Sequence, residues 1–222
     1  MTDVTFFTGV LLPALLKGGI VSLQLIALAA PFGLMAGIAI AVGRTYGGPI
    51  VSGLCRGYII FFKGCPLLLL LFILYFGLPS LGITLPAFVA AVIGFILCNG
   101  AYNSEYIRGA LLSVKEGQMI AAQAIGMSRW QSIRYIILPQ ALRRAIPGVS
   151  NEFIYLIKYS SLAYLVTVTE LTGAAKIAAA KYFVYFEAFT LVGIFYLILV
   201  SIATVAAGVL EKKLAIPGFS GR

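Results

Sequence analysis

Long uncharged runs separated by short basic clusters set the pattern of this chain. Gly18 to Gly43 carries no charged residue over 26 positions and stops at Arg44. That exceeds the roughly 20 apolar residues a helix needs to cross a bilayer core, so the first predicted span is 18–43. Gly64 to Ser104 is uncharged for 41 residues, too long for one helix. The turn residues Gly77-Leu78-Pro79-Ser80, continuing to Pro86, divide it. The result is a second span at about 58–77, with Lys63 placed to snorkel at one end, and a third at about 86–112. Ala188 to Leu210 gives a last span, closed by Glu211-Lys212-Lys213.

The segment 145–170 is apolar but contains Glu152 and Lys158. Lipid does not tolerate such groups on an exposed face, so this segment is expected inside a bundle. Charge parity agrees. If the basic stretch 108–144 and the basic tail lie on one side, an even number of crossings separates them, and 145–170 supplies the second. The whole chain, 1–222, is then one all-α integral membrane domain of about five transmembrane helices. Twelve Lys and Arg fall in the predicted inner segments, against Lys176 and Lys181 in the outer loop before the last span and Lys17 at the outer edge of the first. By the positive-inside rule the N-terminus is expected outside and the C-terminus in the cytoplasm.

Composition supports the membrane reading. Of 222 residues, 61% are apolar and 10% charged, where a soluble domain needs roughly a quarter charged. The formal charge of +9 could suggest nucleic acid, but the cations sit in short loops and no aqueous domain carries them. Met1-Thr2-Asp3 lacks a basic leader and the run after Lys17 is too long for a signal h-region, so the first span is expected to be retained. Histidine is absent, which removes the commonest metal ligand and acid–base group. Cys55, Cys65 and Cys98 form no CxxC pair and read as small buried hydrophobes. No catalytic residues, metal site or cofactor are expected in this chain. No P-loop is present, and no paired acids or histidine relay suit proton coupling, so energy must come from a separate subunit. No internal repeat is seen, unlike many secondary carriers. Five spans without one look like half of a pore completed by a second subunit.

The largest inner segment, about 114–139, holds the most informative sequence. Residues 117–125 are small and helix-friendly, and Gly126 is a plausible left-handed stop. Ala121 and Ala122 offer a flat face, followed by Arg129, Trp130 and Arg134. Physics alone leaves two readings open: a docking knob for another protein, or an interfacial helix with an aromatic anchor.

This segment resembles the EAA loop of ABC-importer permeases: Glu-Ala-Ala, three residues, Gly, nine residues, Ile, one residue, Leu-Pro. Ala121-Ala122, Gly126, Ile136 and Leu138-Pro139 are in register, while the glutamate position holds Ile120 and the nearest acid is Glu116. Further stretches resemble the polar amino acid branch of that family: Phe62-Lys63-Gly64-Cys65-Pro66, Leu74-Tyr75-Phe76-Gly77-Leu78-Pro79, Ala101 to Ala110, Asn151-Glu152-Phe153 and Glu170-Leu171. The resemblance implies a type I importer permease in a bacterial inner membrane. It would move a polar amino acid by alternating access. Its partners would be two copies of an ATPase that binds ATP and Mg, a second permease subunit (identical or homologous), a periplasmic amino-acid-binding protein and membrane lipid. The coupling helix would dock through Glu116, Ala121, Ala122 and Ile125, with Gly126, Ser128, Arg129 and Trp130 beyond it.

A zwitterionic cargo needs polar groups to replace its water. Asn99 and Asn103 are one helical turn apart on one face. Tyr159, Ser160 and Ser161 occupy a Lys-Tyr-Ser-Ser break in the fourth span. The alternative uses of these residues are helix–helix hydrogen bonding and packing. Relatives often place an acid at the position of Tyr159, so a neutral or acidic amino acid is expected rather than a cationic one. Glu105 with Arg108, and Glu152 with Lys158, are expected as structural pairs or interfacial anchors rather than transport sites. The competing functions are a gradient-driven carrier or channel, an importer for another small solute, and a membrane enzyme, which lacks its clustered acid–base groups here.

Overall fold

The computed structural model describes residues 6–214, and those residues are helical with no strand among them. Helix α1 spans Phe7–Tyr46, with a wide first turn over Phe7–Leu11. It is followed by α2 (Pro49–Gly64), α3 (Leu67–Leu81), α4 (Ala87–Ser113) and the short α5 (Glu116–Ala124). Then come α6 (Arg129–Val166), α7 (Leu171–Tyr182) and α8 (Tyr185–Leu214).

Helices α1, α4 and α8 are each long and apolar enough to cross a membrane. The pairs α2–α3 and α6–α7 each qualify only as bent units, with bends of 99° and 50°. The sequence alone suggests one continuous helix over about 58–77, but the chain turns sharply at Cys65-Pro66. Proline forces the residue before it out of the helical region, and Cys65 is extended at φ −81°, ψ 124°. In the 145–170 segment, the α-helix stops at Tyr159 and tightens to a 3-10 helix over Ser160–Val166. Thr167 then turns the chain in a left-handed conformation at φ 68°. Residues 171–182, expected as part of an outer loop, form α7 instead. Its alanines recur at helical spacing, and Ala174, Ala175, Ala178 and Ala179 are all buried.

The core lies in three layers strung along α1. Leu11 and Leu15 pack with Leu171, Ala175 and Ala188 of α7 and α8. Leu25 and Ala29 meet Phe95, Leu156 and Val166 midway. Ala41 joins Ile107, Leu111, Ile137 and Ala141 at the end nearest α5. The outer face of α8 stays bare, with Phe186, Leu197, Ile202 and Val205 exposed. Such a face suits acyl chains, because the helix satisfies its own backbone groups.

The contact between α1 and α4 is the most extensive in the molecule. It depends on small residues that let two backbones approach. A Cβ on Gly37 would lie 2.7 Å from the Asn103 Cβ, and one on Gly33 would collide with the Asn99 side chain. Gly37→Ala should therefore lower stability by about 1–3 kcal/mol, the usual cost of overpacking. Gly53→Ala, whose new Cβ meets nothing within 4 Å, should stay within about 0.5 kcal/mol of the parent. Thermal unfolding midpoints of the two detergent-solubilised variants check the contrast.

Candidate functional site

Two polar constructions and one cavity stand out within the bundle. The first is centred on Asn99 of α4, which is 2% exposed. Its amide donates to Glu152 Oε1 of α6 at 3.3 Å and reaches the Tyr159 hydroxyl at 3.5 Å. Tyr159 in turn donates to Glu152 Oε1 at 2.9 Å. Asn103 donates to Asn99 Oδ1 at 2.7 Å, a pairing set by their spacing of one turn. The amide oxygen of Asn103 is buried without a hydrogen-bond partner. Such an orphan acceptor is uncommon in native interiors and asks for a donor.

The second construction surrounds Glu170, which is fully buried. Its carboxylate caps the N-terminus of α7, accepting from the Thr172 and Gly173 amides at 2.9 and 2.8 Å. It also accepts from Ser22 Oγ of α1 at 3.3 Å and the Tyr196 hydroxyl of α8 at 3.0 Å. A carboxylate at a helix N-terminus is favoured by the dipole and the free amides there. This one also ties three helices together.

The cavity, about 680 Å³, lies between α1, α4, α6 and α8. Its walls run from Ala30 to Ile38 on α1, from Leu142 to Phe153 on α6, and from Ala203 to Leu214 on α8, with Asn99 and Asn103 on α4. The Ile38, Leu142 and Leu214 end is the one nearest α5, given the core layer formed there by Ala41, Ile107 and Ile137. Both Pro31 and Pro147 sit in lining helices, where each removes a backbone hydrogen bond and loosens the ladder. The lining is mostly apolar with a few convergent polar groups, the usual make-up of a small-molecule site.

Outside the membrane-spanning part, α5 ends in a Schellman motif. The Met127 amide donates to Ala122 O at 3.1 Å and the Gly126 amide to Gln123 O at 2.9 Å. This closure needs Gly126 at φ 90°. Helix α6 then opens with a capping box in which Ser128 Oγ accepts from the Gln131 amide and Gln131 Oε1 from the Ser128 amide. Between these caps a tight corner presents Ile125 and Trp130, 79% and 60% exposed. Gln140 of α6 donates to Gln118 of α5 at 3.3 Å, holding the corner to the bundle.

Residues 29–216 match the family described as the binding-protein-dependent transport system inner membrane component. The chain belongs to this family. A probable amino-acid ABC transporter permease, YckA of Bacillus subtilis, is 43% identical over 82% of this chain and 81% of its own length. The glutamine transport permease GlnP of Escherichia coli is 35% identical over 92% of this chain and 94% of its own. A solved amino acid ABC transporter crystallised with histidines superposes with a TM-score of 0.86 at 30% identity, covering 96% of this chain and all of that one. A methionine ABC transporter in inward-facing form shares the fold, with a TM-score of 0.79 at 19% identity, covering 97% of this chain and 100% of that one. This chain is thus a multi-pass inner-membrane component with the type I importer permease fold.

For this inner-membrane component, the structure separates the residues singled out from sequence into groups. Asn99 and Asn103 do share a face and line the cavity. Tyr159 sits behind them, bonded to Glu152. Ser160 and Ser161 turn their hydroxyls back onto Ile157 O and Lys158 O, three residues earlier, and neither lines the cavity. In the α5 corner, Glu116, Ala121, Ile125, Gly126, Ser128, Arg129 and Trp130 are exposed. Ala122 is turned inward at 5% exposure, because α5 packs on the Ile133–Ile137 turn of α6, so only one of the two alanines is on the surface. Glu105 pairs with Arg108 at 3.0 Å as expected, and also with Arg44 of α1. Glu152 does not pair with Lys158, which is exposed over the Tyr155 ring at 5.0 Å. Residues 152 and 158 are a turn and two-thirds apart and point to different sides, whereas 152 and 159 differ by two turns and share one. That spacing was the available signal for the Glu152–Tyr159 pair. No cluster of three or more His, Cys, Asp or Glu able to hold a metal occurs among the described residues.

Replacing Gly126 by alanine should cost about 1–2 kcal/mol locally, since only glycine adopts a positive φ freely. Amide exchange across 118–128 should speed up several-fold in Gly126→Ala. The same region should slow or stay unchanged in Gly117→Ala, which gains helix propensity in open space.

Proposed function

We propose that this chain is the permease subunit of an ATP-driven importer that carries a polar amino acid inward, and that the exposed corner formed by α5 and the start of α6 is its coupling surface. The observation that carries the reading is the rigidity of that corner. A helix closed by a Schellman motif and a helix opened by a capping box hold Ile125 and Trp130 out from the bundle. An ATPase subunit would grip that knob, bind ATP and Mg itself, and pass its closure through α6 to the cavity wall. Glu116, Ala121, Ser128 and Arg129 form the surrounding contact surface, with Ala122 and Gly126 shaping it from beneath.

On this reading the chain pairs with a second permease subunit, and a binding protein delivers cargo from the opposite face. The N-terminus lies outside and the C-terminus in the cytoplasm, as the distribution of basic residues supports. The cavity reaches toward the α5 end, which suits release into the cytoplasm. Asn99 and Asn103 present the polar groups that meet the cargo, and Glu152 and Tyr159 orient Asn99 from behind. Ser160 and Ser161 shape the break at the end of the α6 α-helix. Names of the relatives, amino-acid and glutamine permeases among them, support an amino acid as substrate. Because Tyr159 already donates to Glu152, that carboxylate is less available to a cationic side chain, which favours neutral or acidic amino acids.

The test is uptake into proteoliposomes holding the complete complex of permease, ATPase and binding protein. ATP-dependent accumulation of glutamine or glutamate is expected, and Ala121→Arg should abolish both co-purification of the ATPase and uptake. Transport driven by an ion gradient without the ATPase would overturn the proposal in favour of a secondary carrier. Uptake competed by arginine but not by glutamine or glutamate would overturn the substrate class alone.

A further inference from the structure

The turn between α7 and α8 is made in a way the backbone does not favour. Helix α7 ends with the Phe183 and Val184 amides both donating to Ala179 O, the latter at 3.3 Å. That closure puts Phe183 in the left-handed region, at φ 57° and ψ 35°. Glycine or asparagine takes such a position at least cost, and a bulky residue there is an outlier. At the end of α5 the same task falls to Gly126. The ring at 183 therefore has a use that outweighs the strain. That use is not packing within the chain, because Phe183 is 86% exposed.

The residues around it are of the same kind. Tyr182, Tyr185 and Phe186 are exposed beside Phe183, Phe186 at 81%. The corner is firmly seated from behind. Val184 and Ala188 are buried with Leu11 and Leu15, and the Tyr182 ring meets the Phe6 ring edge-on at 4.9 Å. Phe186 and Leu197 are eleven residues apart, about three turns, so both lie on the bare face of α8. The aromatic corner is thus the end of the stripe that suits acyl chains, at the end of the bundle away from α5.

Charge completes the picture. Residues 171–190 carry two lysines and one acid, Glu187. Lys176 and Lys181 are exposed, and Lys181 Nζ lies 5.3 Å from the centre of the Tyr182 ring. Aromatic rings with lysines beside them fit the boundary where acyl chains meet phosphates. A protein partner would call for a patch set apart from the lipid-facing stripe, and this one runs into it without a break.

We propose that the α7–α8 corner is a lipid-docking wedge. The Phe183 ring enters the leaflet at the boundary between headgroups and acyl chains, and Lys176 and Lys181 reach lipid phosphates above it. The occupant is bilayer phospholipid, and its grip holds the Glu170 end of the bundle at a fixed depth. This inference needs only that the chain is embedded in a membrane, so it stands apart from the importer reading.

The experiment places 4-fluorophenylalanine at position 183 of the full chain. The protein, with whatever subunits co-purify, is reconstituted in nanodiscs of phosphatidylethanolamine and phosphatidylglycerol. Fluorine relaxation is measured with a nitroxide high on the lipid acyl chain and, separately, with a water-soluble gadolinium chelate. The lipid nitroxide should enhance relaxation at least about threefold more than the chelate, as expected for a ring seated just below the headgroups. A second probe at Tyr185 reads the whole corner. Phe183→Gly eases the turn and removes only the ring, and it should cut the lipid effect at 185 by about half or more. Lys181→Glu should lower the lipid effect at 183 by a similar factor.

A probe at 183 relaxed mainly by the aqueous chelate overturns the proposal. A probe shielded from both reagents does so too, because the corner is then covered by protein, such as a second copy of the chain. Loss of the lipid effect on adding a periplasmic binding protein assigns the corner to that partner and equally overturns it. So does a lipid effect left unchanged by both Phe183→Gly and Lys181→Glu.

Discussion

Where α1 crosses α4, two glycines on one helix meet two asparagines on the other. Gly33 lies against Asn99 and Gly37 against Asn103, each pair one turn from the next. The glycines supply the space and the asparagines fill it with polar atoms that must find partners out of reach of water. Asn99 is therefore drawn toward Glu152 and Tyr159 on α6, and Asn103 toward Asn99. One packing decision fixes the spacing of three helices and the direction in which the amides face. The cavity is the space left on the other side of that polar seam.

The long helices were readable because lipid imposes a simple rule on them. A run of some 20 apolar residues has few fates other than a spanning helix; α4 and α8 follow their uncharged runs to within a few residues, whereas α1 starts well before its run, at Phe7, and carries Lys17 within it. The bends were harder to read. Cys65-Pro66 lay in plain view, yet an apolar run flanked by cations masks a proline inside it, and hydropathy does not register a turn of 99°. Helix α7 was lost for the opposite reason. Its two lysines suggest a loop, but they ride over the Tyr164 and Tyr182 rings while the alanine face is buried.

In the site, spacing foretold some contacts and not others. The i, i+4 relation of Asn99 and Asn103 was legible, as was the glycine stop at 126. Ser160 and Ser161 looked like free polar groups because their hydroxyl bonds to their own helix leave no trace in sequence. Ala121 and Ala122 looked like a matched pair because adjacent letters hide a rotation of about 100°.

Glu170 has a mechanical consequence. Four donors from α1, α7 and α8 converge on one buried carboxylate at the end of the bundle far from α5. Pulling those helices apart would strand the carboxylate in a dry interior, at a cost of several kcal/mol. The opposite end is held mainly by apolar contacts and by the partly exposed Glu105 ion pairs, which yield more easily than a fully buried carboxylate. The bundle therefore has a stiff end and a compliant end, like a clothes-peg with its spring at Glu170, and any lever arm applied at α5 acts where the jaws are free to part.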